Sequence, residues 1–130
     1  MREAQYKDYA ELKVYQLAFE EAMQLYWLTP LMLLEEEDLL GQRLVETSRS
    51  VCAGLAEAWK TRRYYKAFAA KMNEVEMKVA AIQTWLTFAM ECGYLEASVG
   101  QARCSRYSAI VEEINALVEE ATDFTVSAVA

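Results

Sequence analysis

Histidine occurs nowhere in the 130 residues. That absence removes Ser-His and Cys-His nucleophile pairs, imidazole acid–base catalysis and most zinc sites. It also removes the Glu-x-x-His pairs of di-iron helical bundles. One proline and four glycines are too few to punctuate an all-β chain, which turns every ~8–12 residues. No apolar run approaches the ~18 residues of a membrane span. The opening stretch MREAQYKDYAELK is polar and lacks the apolar segment of a secretory signal. Cysteine is scarce and odd in number, and Cys52, Cys92 and Cys104 show no metal-ligand spacing. They read as buried thiols of a cytoplasmic protein. The expectation is a non-enzymatic cytoplasmic protein with no cofactor, no metal and no membrane segment.

What is present is helical periodicity. Residues 1–130 suit one domain with a single core, and four helices are expected at roughly 9–28, 38–60, 64–92 and 101–122. In the first, Leu12, Tyr15, Phe19, Ala22 and Tyr26 recur at steps of three and four and are expected to face inward. Val14, Leu17, Leu25 and Leu28 widen that face. Thr29-Pro30 ends it, because a proline disfavours the α conformation in the residue before it. The acidic run Glu35–Asp38 suits the N-terminus of the second helix, whose core row is Leu40, Leu44, Ser48, Val51, Leu55 and Trp59. Ser48, Cys52 and Ala56, with Ala53 and Gly54, keep the neighbouring surface narrow. Gly54 costs a helix about 1 kcal/mol relative to alanine, and a close approach by another helix would explain it.

The third helix carries Tyr65, Phe68, Met72, Val75, Val79, Ile82, Leu86 and Met90 on one stripe. A second apolar row, Met77, Ala81, Trp85 and Phe88, lies away from the first. A helix in a lone bundle needs one stripe, so this row is a candidate subunit interface. Gly93-Tyr94 has the form of a helix stop. The fourth helix turns Tyr107, Ile110, Ile114, Leu117 and Ala121 inward and Glu112, Glu113, Glu119 and Glu120 outward. The tail 123–130, DFTVSAVA, is β-prone and short, and no role is read from it. Four helices with short connections imply an all-α, antiparallel up-down-up-down four-helix bundle.

The formal net charge is −7 and unevenly spread. Residues 1–42 hold three basic and nine acidic groups, and residues 43–78 hold eight basic and four acidic. Lys60, Arg62, Arg63 and Lys66 fall at the corner between the second and third helices, with Tyr64 and Tyr65 beside them. Such a cluster can contact phosphates while a tyrosine stacks on a base. The plainer reading is a solvated corner in which Lys60 and Arg62 complement a helix C-terminus. The acidic body favours the plainer reading and weighs against nucleic acid as a partner; contact with acidic surface on a neighbouring subunit lies between the two. The pairs Glu20-Glu21, Glu112-Glu113 and Glu119-Glu120 cannot each converge on one ion, since neighbours on a helix point about 100° apart. Glu57 is expected to pair with Lys60. Trp27, Trp59 and Trp85 read as core.

The segment SRSVCAGLAEAWKTRRY, Ser48–Tyr64, and the later block QTWLTFAMECGYL, Gln83–Leu95, resemble the 23S rRNA intervening-sequence proteins. Ala56-Glu57, Gln83-Thr84-Trp85-Leu86 and Cys92-Gly93-Tyr94-Leu95 carry most of the likeness, and a looser match starts at ELKVYQLA. The resemblance implies a four-helix bundle that assembles into a homopentameric ring, with no enzymatic activity attached to the family. A related branch, the accessory proteins of diversity-generating retroelements, is basic and works with a reverse transcriptase and nucleic acid. This chain departs at Gly54, where asparagine is frequent, at Ala81, where an acid is, and at Val45-Glu46, where a basic pair is. The reading is a homo-oligomeric scaffold or binding module with an unidentified protein partner. Its rival is a nucleic-acid-binding accessory protein using Lys60, Arg62, Arg63 and Lys66.

Overall fold

The computed structural model describes residues 8–32 and 39–129, the last eight of these as backbone only. Among them are four long helices: α1 Lys13–Leu28, α2 Leu40–Lys60, α3 Tyr65–Glu91 and α4 Ala97–Val129. Short 3-10 turns cover Tyr9–Glu11 and Thr29–Leu31, and no described residue is in a strand. The first helix is therefore shorter than expected. Asp8 accepts from the Ala10 N–H at 2.9 Å and caps the opening turn, and Leu12 then takes an extended conformation before α1 starts. Pro30 holds the second 3-10 turn, where its missing N–H costs nothing. The acidic run Glu35–Asp38 lies outside the described residues.

The largest departure is α4, which begins four residues earlier than the periodicity suggests and continues to Val129. Glu96 starts it by accepting from Val99 and Gly100, each at 3.1 Å. The β-branched residues near its end lower helix propensity by only about 0.5 kcal/mol each. That is too little to stop a helix already nucleated.

Packing runs around a square. α2 packs on α1 and α3, α4 packs on α3 and α1, and α1 and α3 lie diagonally across the core. The core stripes of α2, α3 and α4 are close to those expected, with Leu44, Val51, Leu55, Trp59, Phe68, Met72, Val79, Ile82, Leu86, Tyr107, Ile110 and Ile114 all buried. Near the end of α3, Ala89 is buried and Met90 half-buried. Gly54 has its explanation: a β-carbon there would lie 2.7 Å from Val75 Cγ2, so the missing side chain sets the α2–α3 approach. Gly93 closes α3 at φ 76°. Its N–H reaches the Met90 carbonyl at 3.1 Å and that of Tyr94 reaches the Ala89 carbonyl at 2.9 Å, a Schellman cap.

α1 is turned differently. Val14, Ala18, Glu21, Ala22 and Leu25 are its buried residues, while Phe19 and Tyr26 are 51 % and 48 % exposed and Tyr15 is half-buried. Two apolar rows compete on this helix. The row with two alanines goes inside because it allows closer approach to α2 and α4, and the bulky aromatic row is left outside. Trp27, expected in the core, is 57 % exposed. Cysteine burial also varies: Cys52 is buried, Cys104 half-buried and Cys92 exposed, since Cys92 follows the last turn of α3.

Candidate functional site

The corner between α2 and α3 spans residues 61–64. Thr61 ends α2 by donating its hydroxyl to the Ala58 carbonyl at 2.8 Å, and Tyr64 precedes the first turn of α3. Arg62 folds back on α2, its Nη1 donating to the Trp59 carbonyl at 3.0 Å with the guanidinium 4.5 Å from the Trp59 ring centroid. This cation neutralises a helix end and covers a core indole. Lys60, Arg63 and Lys66 are exposed, and Tyr64 is 72 % exposed. So three of the four basic residues point to solvent beside an open aromatic ring, and one is used by the fold. Tyr65 is half-buried against the core and is not open for stacking.

The row Met77, Ala81, Trp85 and Phe88 is on the surface of α3. Met77 and Phe88 are 60 % and 58 % exposed, and Ala81 and Trp85 are half-buried. Met77 stands two residues from buried Val79 and Phe88 two from buried Leu86. Each is thus about 200° around the helix from its core neighbour. Between this row and α2 runs an open groove of about 400 Å³, whose walls include Thr47, Ser50, Glu74, Met77, Ala81 and Trp85. Arg43 reaches over Trp85 at 6.0 Å from the ring centroid.

A second outward apolar face was not legible in the sequence. Phe19, Met23 and Trp27 of α1, with Tyr15, wall a hollow of about 500 Å³ on the outside of the helix. Tyr26 lies toward α2, where Arg49 sits 5.6 Å from its ring centroid.

Several residues that carried the family likeness have structural work. Gln83 donates to the Cys104 carbonyl and to Ser108 Oγ, both at 3.0 Å, tying α3 to α4. Glu57 pairs with Lys71 of α3 at 3.0 Å rather than with Lys60. Lys71 also holds Glu74 at 3.3 Å, and these two carboxylates raise its pKa. Inter-helix geometry won over the i,i+3 spacing because Lys60 is exposed at the helix end. Of the α4 acids expected to face outward, Glu113 is half-buried and pairs with Lys13 at 3.1 Å, and Glu120 is half-buried.

Among the described residues, an ionic cluster lies in the interior. Glu21 of α1 is fully buried, and Arg103 Nη1 donates to both its carboxylate oxygens at 2.8 and 2.9 Å. Arg106 Nε lies 3.5 Å away. Burial outweighs the two guanidiniums and holds the Glu21 carboxyl above the usual carboxylate range. Tyr107 beside it is buried, and its hydroxyl has no hydrogen-bond partner among the described residues. Burial and then the nearby Glu21 raise the Tyr107 pKa. Burial also pushes the Cys52 thiol up to about 11, so it is protonated and weakly nucleophilic at neutral pH. Among the described residues no three acids or thiols gather where they could hold a metal ion, and no helix is long and apolar enough to cross a membrane.

The fold is that of an all-α, four-helix protein whose distinctive chemistry lies on its outer faces and at one corner. The chain matches the family model of the 23S rRNA-intervening sequence protein over residues 10–116, and it belongs to that family. No curated protein and no solved structure matches it.

Proposed function

We propose that this protein is a non-enzymatic, self-assembling scaffold of the cytoplasm: an antiparallel up-down-up-down four-helix bundle whose copies associate and present their remaining surface to a partner. The observation that carries the reading is the exposed row on α3. Met77 and Phe88 place large apolar side chains in water on the side of the helix away from its core. Contiguous exposed apolar surface of this kind marks an interaction site. The short links between α2 and α3 and between α3 and α4 support the antiparallel arrangement, and the family resemblance supports a closed ring, with five subunits as its implied number. Light scattering on a sizing column tests the reading. Wild type should exceed the 14.9 kDa of one chain, and Phe88→Lys or Trp85→Lys should lower that mass. A monomeric wild type, or an unchanged mass in both variants, would refute it.

A second reading has one observation in its favour. Lys60, Arg63 and Lys66 are exposed around the open ring of Tyr64, and no described acidic residue pairs with them. This is the arrangement a nucleic-acid-binding accessory protein would use, the role that the resemblance implies for a related branch of the family. The net charge of −7 places it second.

A further inference from the structure

We infer that the groove between α1 and α4 binds the carboxylate or phosphate group of a small molecule, with Arg103 as the residue that recognises it. The site is independent of self-assembly. The groove has a volume of about 310 Å³ and is lined by Gln24 and Leu28 of α1 and by Ser98, Val99, Ala102 and Arg103 of α4. That is the lower end of the range for small-molecule pockets, roughly 300–1,000 Å³. α1 and α4 are the most sparsely packed of the four neighbouring helix pairs, which leaves this space between them. Its lining joins an apolar wall to a few polar groups, as ligand sites do.

The donors of Arg103 carry the inference. A guanidinium has five N–H groups in a planar fork and no acceptor. Nη1 spends its pair on Glu21, donating to the two carboxylate oxygens at 2.8 and 2.9 Å. Among the described residues, Nε and Nη2 donate to nothing. Three N–H groups are thus left over, on the edge that pairs side-on with two oxygens of one carboxylate or phosphate. Arg106, one turn further along α4, has that same edge in use: its Nη2 lies 3.4 Å from Glu20 and its Nε 3.5 Å from Glu21. Arg103 has no second carboxylate. Its side chain is 20 % accessible and forms part of the groove wall, so an acceptor can reach it from there. Glu21, fully buried, is a positioning residue: it fixes the guanidinium before a ligand arrives, and less ordering is then needed on binding. Arg103 and Arg106 against Glu20 and Glu21 sum to zero charge, so recognition rests on the fork rather than on a positive field. A ligand held there contacts residues of both helices and ties α1 to α4.

Thermal unfolding in propionate, in inorganic phosphate and in chloride, at matched ionic strength, tests the site. A bound anion at ten times its dissociation constant should raise the wild-type midpoint by ~4 °C. Chloride, a single atom, cannot span the fork and should give no saturable rise. A rise in propionate alone assigns a carboxylate ligand and a rise in phosphate alone a phosphate ligand; each supports the site. Arg103→Lys keeps a cation opposite Glu21 without the fork and should abolish the rise. Ala102→Leu fills the groove from an exposed position, leaves the Arg103–Glu21 pair in place and should abolish it too. No rise beyond chloride in either anion overturns the site. So does a rise that survives either variant, the result expected if phosphate bound at Lys60 and Arg63 instead. If Arg103→Lys loses helicity by far-UV circular dichroism, Ala102→Leu decides in its place.

Discussion

Glu21 puts a carboxylate inside the hydrocarbon core, where an isolated charge would be expelled. It stays because Arg103 bridges both its oxygens and keeps its own side chain 20 % accessible. Removing one member of such a pair is costly, whereas replacing both by apolar residues is often neutral. Glu21→Ala should therefore lower stability by about 3 kcal/mol, and Glu21→Leu with Arg103→Met should recover most of it; urea midpoints at constant m-value measure both. The pH dependence follows from the raised carboxyl pKa. Its ordinary value is 4.5, so the contribution of the protonated form is fully present below that and is lost as pH rises through the folded-state value. Wild type should lose stability relative to Glu21→Gln over that interval, and a slope of opposite sign would mean the arginines outweigh burial. None of this was legible as a pair, because Arg103 is 82 positions away. One sign of burial was present: Glu21 keeps helical step with Val14, Ala18 and Leu25, although beside Glu20 it resembles half of a solvated couple.

Among the elements, the α2–α3 contact is set by a single missing side chain. A β-carbon at residue 54 meets Val75 Cγ2 at 2.7 Å, and a β-branched neighbour has little rotamer freedom with which to retreat. Gly54→Ala should therefore destabilise by ~1–2 kcal/mol despite its gain in helix propensity. Gly100→Ala is the contrast. There the new atom meets the Met90 thioether, with Sδ at 2.5 Å, and a flexible side chain can move. Its effect should lie between neutral and about 1 kcal/mol stabilising; thermal unfolding of the two variants side by side separates them. The close approach at Gly54 was readable because glycine in mid-helix needs a reason. The core stripes of α2 and α3 were readable because each has one uninterrupted inward row. α1 was not, since two rows of similar hydrophobicity lie on it and only the neighbours' shape selects between them. The length of α4 escaped because weak β-propensity says little once a helix is under way.

At the scale of the whole molecule, charge is unevenly spread along the chain: residues 43–78 hold eight basic and four acidic groups, and four of the eight, Lys60, Arg62, Arg63 and Lys66, fall at the exposed corner. Binding of structured RNA and of DNA across a salt series, with a Lys60/Arg62/Arg63 triple alanine variant alongside, tests whether the corner grips phosphate. Salt-sensitive binding that the variant loses would establish it, because displaced counterions make phosphate contacts weaken with salt. Absence of binding at low salt would leave a protein-partnered scaffold. Arg62→Ala should itself cost some stability, since that side chain covers Trp59, so the variant's fold needs its own measurement. The four helices were legible from period and composition. The diagonal placing of the two outer apolar faces was not, since it depends on how every helix is rotated at once. The three indoles, finally, divide the molecule optically: Trp59 is sealed in the core, Trp85 is half-covered beneath Arg43, and Trp27 stands in water on α1. Intrinsic fluorescence therefore carries three superimposed signals, in which Trp59 reports the interior and Trp27 reports the surface with no label added.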